Sequence, residues 1–147
     1  MINIGFYVDN IGNQQQMKNV AECVNKSVLC SHVEDVSIFY DDIGYNPIDI
    51  KCGFFNSTDL WHFNGTLITT SIETTKNALN IVNKIDVIYL YDKEEKVNIF
   101  SLILMAQNNN IKIVCKDNES AKELYRITNT TPYGVSDLDN ILNLVGA

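Results

Sequence analysis

The apolar residues of this chain are grouped in short runs, and each run stops at a small polar cluster. Four of these runs recur at near-regular spacing, at residues 2–8, 66–68, 87–91 and 111–115. The stretches between them carry apolar residues at helical spacing. Short apolar runs that alternate with amphipathic helices are typical of a parallel sheet with crossover helices. The pattern therefore predicts an α/β protein.

Weaker patterns complete the predicted set of strands and helices. Further short strands are predicted at residues 36–40, 52–55 and 132–135. Helices are predicted at residues 13–29, 70–82, 98–107, 117–128 and 136–145. Because no internal repeat or linker divides the chain, residues 1–147 are expected to form one three-layer, Rossmann-like domain. Its sheet should be mostly parallel, with about five to seven strands.

The charge of the chain restricts its partners. It has 147 residues and a net charge of −7, and Arg126 is its single arginine. Binding to nucleic acid requires clusters of lysine and arginine that displace counterions from phosphates. The sequence has no such cluster, so binding to nucleic acid is not expected. Binding to an anionic membrane surface is not expected for the same reason.

The four cysteines give no sign of a metal centre. Cys23, Cys30, Cys52 and Cys115 show no C-x-x-C spacing, and no short ligand pair combines them with a histidine. Zinc sites normally contain such a pair. We expect four reduced thiols, no metal and no cofactor.

The first candidate site lies in the turn between the first predicted strand and the first predicted helix. It comprises Asp9, Asn10, Gly12 and Asn13. A glycine in such a turn lets backbone amides approach a ligand, and the amino terminus of the following helix favours an anion. The alternative is structural, in that Gly12 forms the turn and Asn10 or Asn13 caps the helix.

Hydroxyl side chains at a second strand–helix turn form the other side of the predicted site. Thr69, Thr70 and Ser71 follow an apolar run and precede a helix. Hydroxyl groups and free helix amides can hold a phosphate or a sugar. The alternative is that Thr70 and Glu73 form a capping box and have no further role.

Acidic residues at the ends of later strands complete the candidate set. Asp92 and Asp117 follow two apolar runs, and the carboxyl ends of parallel strands share one edge of a sheet. Their carboxylates are expected to orient ligand hydroxyls, although aspartate is also a common turn and cap residue. The predicted pocket lies between the first and second groups, with Trp61 near its mouth.

Several segments resemble small phage-type, Rossmann-like proteins related to one half of a GT-B glycosyltransferase. The resemblance is carried by GFFNSTDLWHFNGTLITTS at residues 53–71, the strand at 85–92, IGFYVDNIGN at 4–13 and IVCKDNESAKELYR at 113–126. GT-B enzymes bind donor and acceptor between two Rossmann-like domains. The resemblance therefore implies a nucleotide-sugar ligand, and a second subunit or partner protein that closes the cleft.

Two hypotheses follow for the function. The leading one is a glycosyltransferase-like domain that binds a nucleotide sugar. The rival is a non-catalytic protein-interaction module without a small-molecule ligand, in which exposed aromatic side chains contact another protein. The amino terminus lacks a basic segment and turns polar at Asp9, which predicts a strand and not a signal peptide. A cytoplasmic location is expected, in the host cell if the protein is phage-encoded.

Overall fold

A computed structural model describes residues 2–81 and 85–144 of the chain. The strands are β1 (Ile2–Asn10), β2 (Val33–Asp42), β3 (Gly53–Asn56), β4 (Gly65–Thr69), β5 (Ile85–Tyr91), β6 (Ile111–Cys115) and β7 (Gly134–Val135). Each of them lies at or near a predicted strand.

Four α-helices and two 3₁₀ helices connect or follow these strands in the described residues. The α-helices are α1 (Gln14–Val28), α2 (Ile72–Leu79), α3 (Ile99–Gln107) and α4 (Asn118–Thr128). The first 3₁₀ helix spans Ser57–His62, and the second spans Leu138–Asn143. Within the described ranges, no helix is both long enough and apolar enough to cross a membrane.

All seven strands form one parallel sheet in the order β3-β2-β1-β4-β5-β6-β7. The order confirms the predicted α/β, Rossmann-like fold. It also places β1 and β4 side by side at the point where the strand order reverses. In parallel sheets such a switch point opens a crevice at the carboxyl ends of the strands.

The two faces of the sheet are covered by different helices. On one face, Phe6, Ile68 and Ile88 pack against α1 and the second 3₁₀ helix. On the other face, alternate strand residues such as Tyr7 and Tyr89 pack against the first 3₁₀ helix, α2, α3 and α4. Successive side chains of a strand point to opposite faces, so strands buried on both sides become apolar throughout. This explains the continuous apolar runs in the sequence.

One glycine is required by the backbone of the sheet. Gly65 begins β4 with a φ of +143°, a region that residues with a side chain rarely adopt. A Cβ atom at this position would lie 2.4 Å from the backbone oxygen of Asn3 on the neighbouring strand. Glycine therefore allows β4 to enter the sheet beside β1.

Two helix starts differ from the prediction. Ser71, not Thr70, is the N-cap of α2, and it forms a capping box with Thr74 instead of Glu73. The predicted final helix is a 3₁₀ helix that begins after Asp137. The sequence pattern did not separate adjacent hydroxyl residues, since any of them can cap a helix. Val82 and residue 145, included in predicted helices, lie outside the described residues.

Candidate functional site

A crevice of about 460 Å³ opens at the carboxyl edge of the sheet, on the face covered by α1. It is lined by Asn13, Gln15, Gln16, Asn19, Val20, Thr70, Leu90, Asp92, Lys116, Asp137 and Leu138. We refer to this set of residues as the crevice. Its volume falls in the range of about 300–1,000 Å³ that is usual for small-molecule sites.

The first two turns of α1 supply the amide side chains of the crevice. Asn13 caps the helix by accepting a hydrogen bond from the backbone N–H of Gln16 at 3.3 Å. Positions 15 and 19 lie one turn apart, so both side chains occupy the same side of α1. Within the described part of the chain, the side-chain amides of Gln15, Gln16 and Asn19 form no hydrogen bond to another residue. They are available to a ligand.

The ends of β5 and β6 place an ion pair in the crevice. Lys116 Nζ lies 3.3 Å from Asp92 Oδ2, and both side chains are partly exposed to solvent. The other oxygen of Asp92 accepts a hydrogen bond from the backbone N–H of Glu94 at 3.0 Å, which fixes the carboxylate. Among the lining residues Lys116 is the sole cation, so an anionic ligand would have to share it with Asp92.

The second 3₁₀ helix closes the crevice from the carboxyl-terminal side. Asp137 caps this helix by accepting hydrogen bonds from the backbone N–H and the side-chain amide of Asn140. Leu138 follows it and, with Val20 and Leu90, forms a small apolar floor. Polar side chains around an apolar floor are the usual arrangement of a small-ligand site.

The sequence-predicted residues are divided between the crevice and other positions. Asn13, Thr70 and Asp92 line the crevice. Thr70 Oγ1 donates a hydrogen bond to the backbone oxygen of Tyr7 at 3.0 Å, which ties the end of β4 to β1. Thr69 is fully buried, and its hydroxyl lies 2.6 Å from that of Thr75. Thr69 therefore cannot contact a ligand at the rim without a rearrangement of the core.

The glycine turn after β1 packs against the protein itself. A Cβ atom at Gly12 would lie 2.9 Å from the Cα of Gly44 in the loop that follows β2. Asn10 Oδ1 accepts a hydrogen bond from the backbone N–H of Gly12 at 2.7 Å. The space next to Gly12 that a ligand would need is therefore filled by the loop that follows β2. Neither Asn10 nor Gly12 lines the crevice.

Asp9 and Ser71 meet on the opposite face of the sheet, where α2 begins. The Ser71 hydroxyl donates a hydrogen bond to Asp9 Oδ1 at 3.3 Å. Burial raises the pKa of Asp9, and the negative charges of Asp41, Glu73 and Asp42 raise it further. This side of the rim is acidic and unfavourable for phosphate.

Asp117 has a structural role at the start of α4. Its side chain accepts a hydrogen bond from the backbone N–H of Ser120 at 2.7 Å. That bond lowers the pKa of Asp117, and the charges of Lys93 and Lys116 act in the same direction. Asp117 is not one of the residues that line the crevice.

A partly buried carboxylate that was not predicted from the sequence lies beside α2. Glu95 accepts hydrogen bonds from the backbone N–H of Ile72 at 2.8 Å and from the hydroxyl of Tyr89 at 2.5 Å. Burial raises the pKa of Glu95, with a further contribution from the charges of Asp9 and Asp92. Glu95 thereby fixes the loop after β5 to the amino terminus of α2.

Trp61, predicted near the mouth of the pocket, does not line the crevice. Trp61 belongs to the first 3₁₀ helix, whose Leu60 packs with Tyr7 and Phe39 on the face opposite α1. The crevice lies on the α1 face. An aromatic residue in a loop gives no sequence signal for the face that it will cover.

Sequence reasoning missed most of the polar side chains in the crevice. The missed polar residues are Gln15, Gln16, Asn19, Lys116 and Asp137. Those on α1 occupy the polar face of an amphipathic helix, which is usually solvated. Asp137 reaches the crevice because the second 3₁₀ helix packs beside α1, a long-range contact that local patterns do not reveal.

Fold and site together define a Rossmann-like α/β domain with a polar crevice at its switch point. Comparison with protein-family models, with curated proteins and with solved structures gives no match for this chain. Its function therefore has to be argued from the chemistry of the crevice.

Proposed function

We propose that the crevice binds a nucleotide sugar and that the chain is a glycosyltransferase-like, nucleotide-sugar-binding domain. The observation that supports this proposal is the set of unengaged amide side chains on α1, which face Asp92 and Asp137 across the switch point. Amides both donate and accept hydrogen bonds, whereas carboxylates only accept them. Such a set matches the hydroxyl groups of a sugar or a ribose.

The phosphates of this ligand belong at the start of α1, beside Lys116. The amino terminus of a 15-residue helix favours negative charge, and Lys116 is the nearest cation in the crevice. The α2 side of the rim carries the partly buried Asp9 and would repel a phosphate. Because Lys116 is paired with Asp92, a divalent cation that accompanies the diphosphate would strengthen binding.

Glycosyl transfer would need more than this one domain. The crevice is walled by α1 on one side and by the second 3₁₀ helix on the other, so an acceptor has to approach from the open edge. A second subunit or partner protein that covers this edge would exclude water and complete a cleft. Without such a partner, we expect binding of the donor and no transfer.

The proposal is tested by thermal unfolding in the presence of UDP-glucose, GDP-mannose, the corresponding free nucleotides and free glucose, with and without Mg²⁺. A ligand at about 100 times its Kd adds about 2.7 kcal/mol of stability and raises the Tm by several degrees. We expect at least one nucleotide sugar to do so more strongly than free glucose. Absence of a shift with every compound, in both conditions, would contradict the proposal.

A matched pair of variants tests the location. Gln15 lines the crevice, whereas its neighbour Gln14 does not, although both are exposed at the start of α1. Gln15→Ala should weaken binding of the nucleotide sugar by about two- to tenfold, as expected for the loss of one hydrogen bond. Gln14→Ala should leave the Kd unchanged. Equal effects of both substitutions in isothermal titration would contradict this placement.

A further inference from the structure

The outer face of α3 is apolar and exposed. Ile99, Phe100 and Leu104 have 57%, 79% and 66% of their surface accessible to solvent. On the other side of the same helix, Leu102 and Met105 are buried against the sheet. Phe100 and Leu104 are four residues apart, so their side chains form one stripe along α3. We call Ile99, Phe100 and Leu104 the α3 stripe.

The segment of the chain that carries the α3 stripe has no charged residue over an unusual length. Residues 97–111 contain neither an acidic nor a basic side chain, in a chain whose net charge is −7. Most of a protein surface is interspersed with charges, and a contiguous apolar patch indicates an interaction site. An acidic surface repels a second copy of itself, and the α3 stripe is a region where that repulsion is absent.

We propose that the α3 stripe is the interface between two copies of this chain. A two-fold interface brings the same patch of both copies together, so the patch has to be complementary to itself. An apolar stripe on a helix satisfies this condition, because two such helices can pack with their stripes in contact. A basic partner protein would instead be attracted to the acidic side of the rim around Asp9.

The charges beside the α3 stripe also suit a second copy. The neighbouring helix α4 contacts α3 and carries both signs on its surface, with Glu119 and Glu123 alternating with Lys122 and Arg126. In a two-fold arrangement, a surface of mixed sign can place opposite charges of the two copies together. A uniformly acidic flank would have opposed such an approach.

The size of the α3 stripe limits the strength of this dimer. The nine residues of α3 span about 13 Å, which is short for a helix-mediated interface. Stable interfaces usually bury about 1,200–2,000 Å² in total, and smaller ones are transient. We therefore expect a reversible dimer with a Kd in the micromolar range, of roughly 1–100 μM.

The dimer and the crevice are independent features. The crevice lies on the α1 face of the sheet, whereas α3 covers the opposite face. Dimerisation through α3 would leave the crevice open in both copies, so this second copy is not the partner that would close the cleft. The inference does not rest on the proposed binding of a nucleotide sugar.

Sedimentation equilibrium over roughly 1–500 μM protein tests this inference directly, because the range spans the expected Kd. The wild-type chain should change from monomer to dimer as its concentration rises. Leu104→Glu and Phe100→Glu should each leave a monomer at every concentration, since they bring like charges together at the two-fold axis. Leu29→Glu is the matched control, because Leu29 is 87% exposed and lies at the end of α1. It should dimerise as the wild type does.

Three results would overturn the inference. They are a wild-type chain that stays monomeric throughout, a dimer that survives Leu104→Glu, and a dimer that Leu29→Glu disrupts equally. Circular dichroism checks that each variant is folded. If a glutamate variant does not fold, Leu104→Gln should still weaken the dimer by tenfold or more. In the wild type, concentration-dependent amide shifts in NMR spectra should be confined to residues 97–111 and to α4.

Discussion

At the scale of single residues, two aspartates at strand ends behave in opposite ways. Asp9 is half-buried beside other carboxylates, and this environment raises its pKa. Asp117 is exposed at a helix amino terminus, and its hydrogen bond from Ser120 lowers its pKa. Both look the same in the sequence, as an aspartate after an apolar run. Their difference arises from burial and neighbouring charge, which only the folded chain determines.

The two aspartates should therefore give opposite changes of stability with pH. A carboxyl group whose pKa is raised on folding stabilises the folded state when it is protonated. For Asp9 this stabilisation is fully present below the pKa of the unfolded chain, near 3.8, and is lost as pH rises through the pKa of the folded chain. Asp9→Asn, which removes the charge, should thus raise the Tm near pH 7 and have little effect near about pH 3. Thermal unfolding at both pH values measures this difference.

For Asp117 the change of stability with pH has the opposite sign. A lowered pKa contributes stability above the unfolded value, and this contribution disappears as pH falls through the folded pKa. Asp117→Asn keeps a capping side chain but loses the charge, so its Tm should fall near pH 7 and match the wild type at low pH. A Tm change of the same sign for Asp9→Asn and Asp117→Asn at neutral pH would contradict this assignment.

At the scale of elements, the start of α2 depends on one hydroxyl. Ser71 Oγ accepts a hydrogen bond from the backbone N–H of Thr74 at 3.1 Å, and Thr74 Oγ1 in turn accepts one from the backbone N–H of Ser71. Ser71→Ala should cost about 1 kcal/mol in the free energy of unfolding. Glu73→Ala removes only an exposed pair with Lys76 and should cost less than about 0.5 kcal/mol. Urea unfolding of both variants makes the comparison.

If Glu73→Ala lowered the free energy of unfolding more than Ser71→Ala, the result would contradict this account. It would instead support the capping box of Thr70 and Glu73 that the sequence indicated. Thr70→Ala separates the roles further. Its hydroxyl bonds to β1 and not to α2, so its loss should leave α2 intact and loosen the contact between β1 and β4.

The elements themselves could mostly be predicted from the sequence, for a physical reason. A strand buried on both faces must be apolar throughout, and a helix on a sheet must be apolar on one side. The first 3₁₀ helix was missed because its six residues are too few to show a period. The order of the strands within the sheet depends on long-range pairing, which local sequence patterns do not reveal.

At the scale of the whole molecule, the sheet separates two surfaces of different chemistry. The α1 face carries a polar crevice, and the opposite face carries the apolar α3 stripe. The crevice lies at the edge of the sheet where the sequence predicted a site, but only Asn13, Thr70 and Asp92 of the predicted residues line it. Turn residues are visible as local motifs, whereas Gln15, Lys116 and Asp137 converge only after the sheet has formed.

The central claim, that the crevice is a ligand site, is tested most directly by NMR titration of the isotopically labelled protein with a nucleotide sugar and Mg²⁺. We predict amide shifts that cluster at Gln15, Gln16, Asn19, Lys116 and Asp137 and saturate with one Kd. The α3 stripe and the amino-terminal edge of the sheet should show no shifts. Shifts confined to either of those regions, or none at millimolar ligand, would contradict the claim.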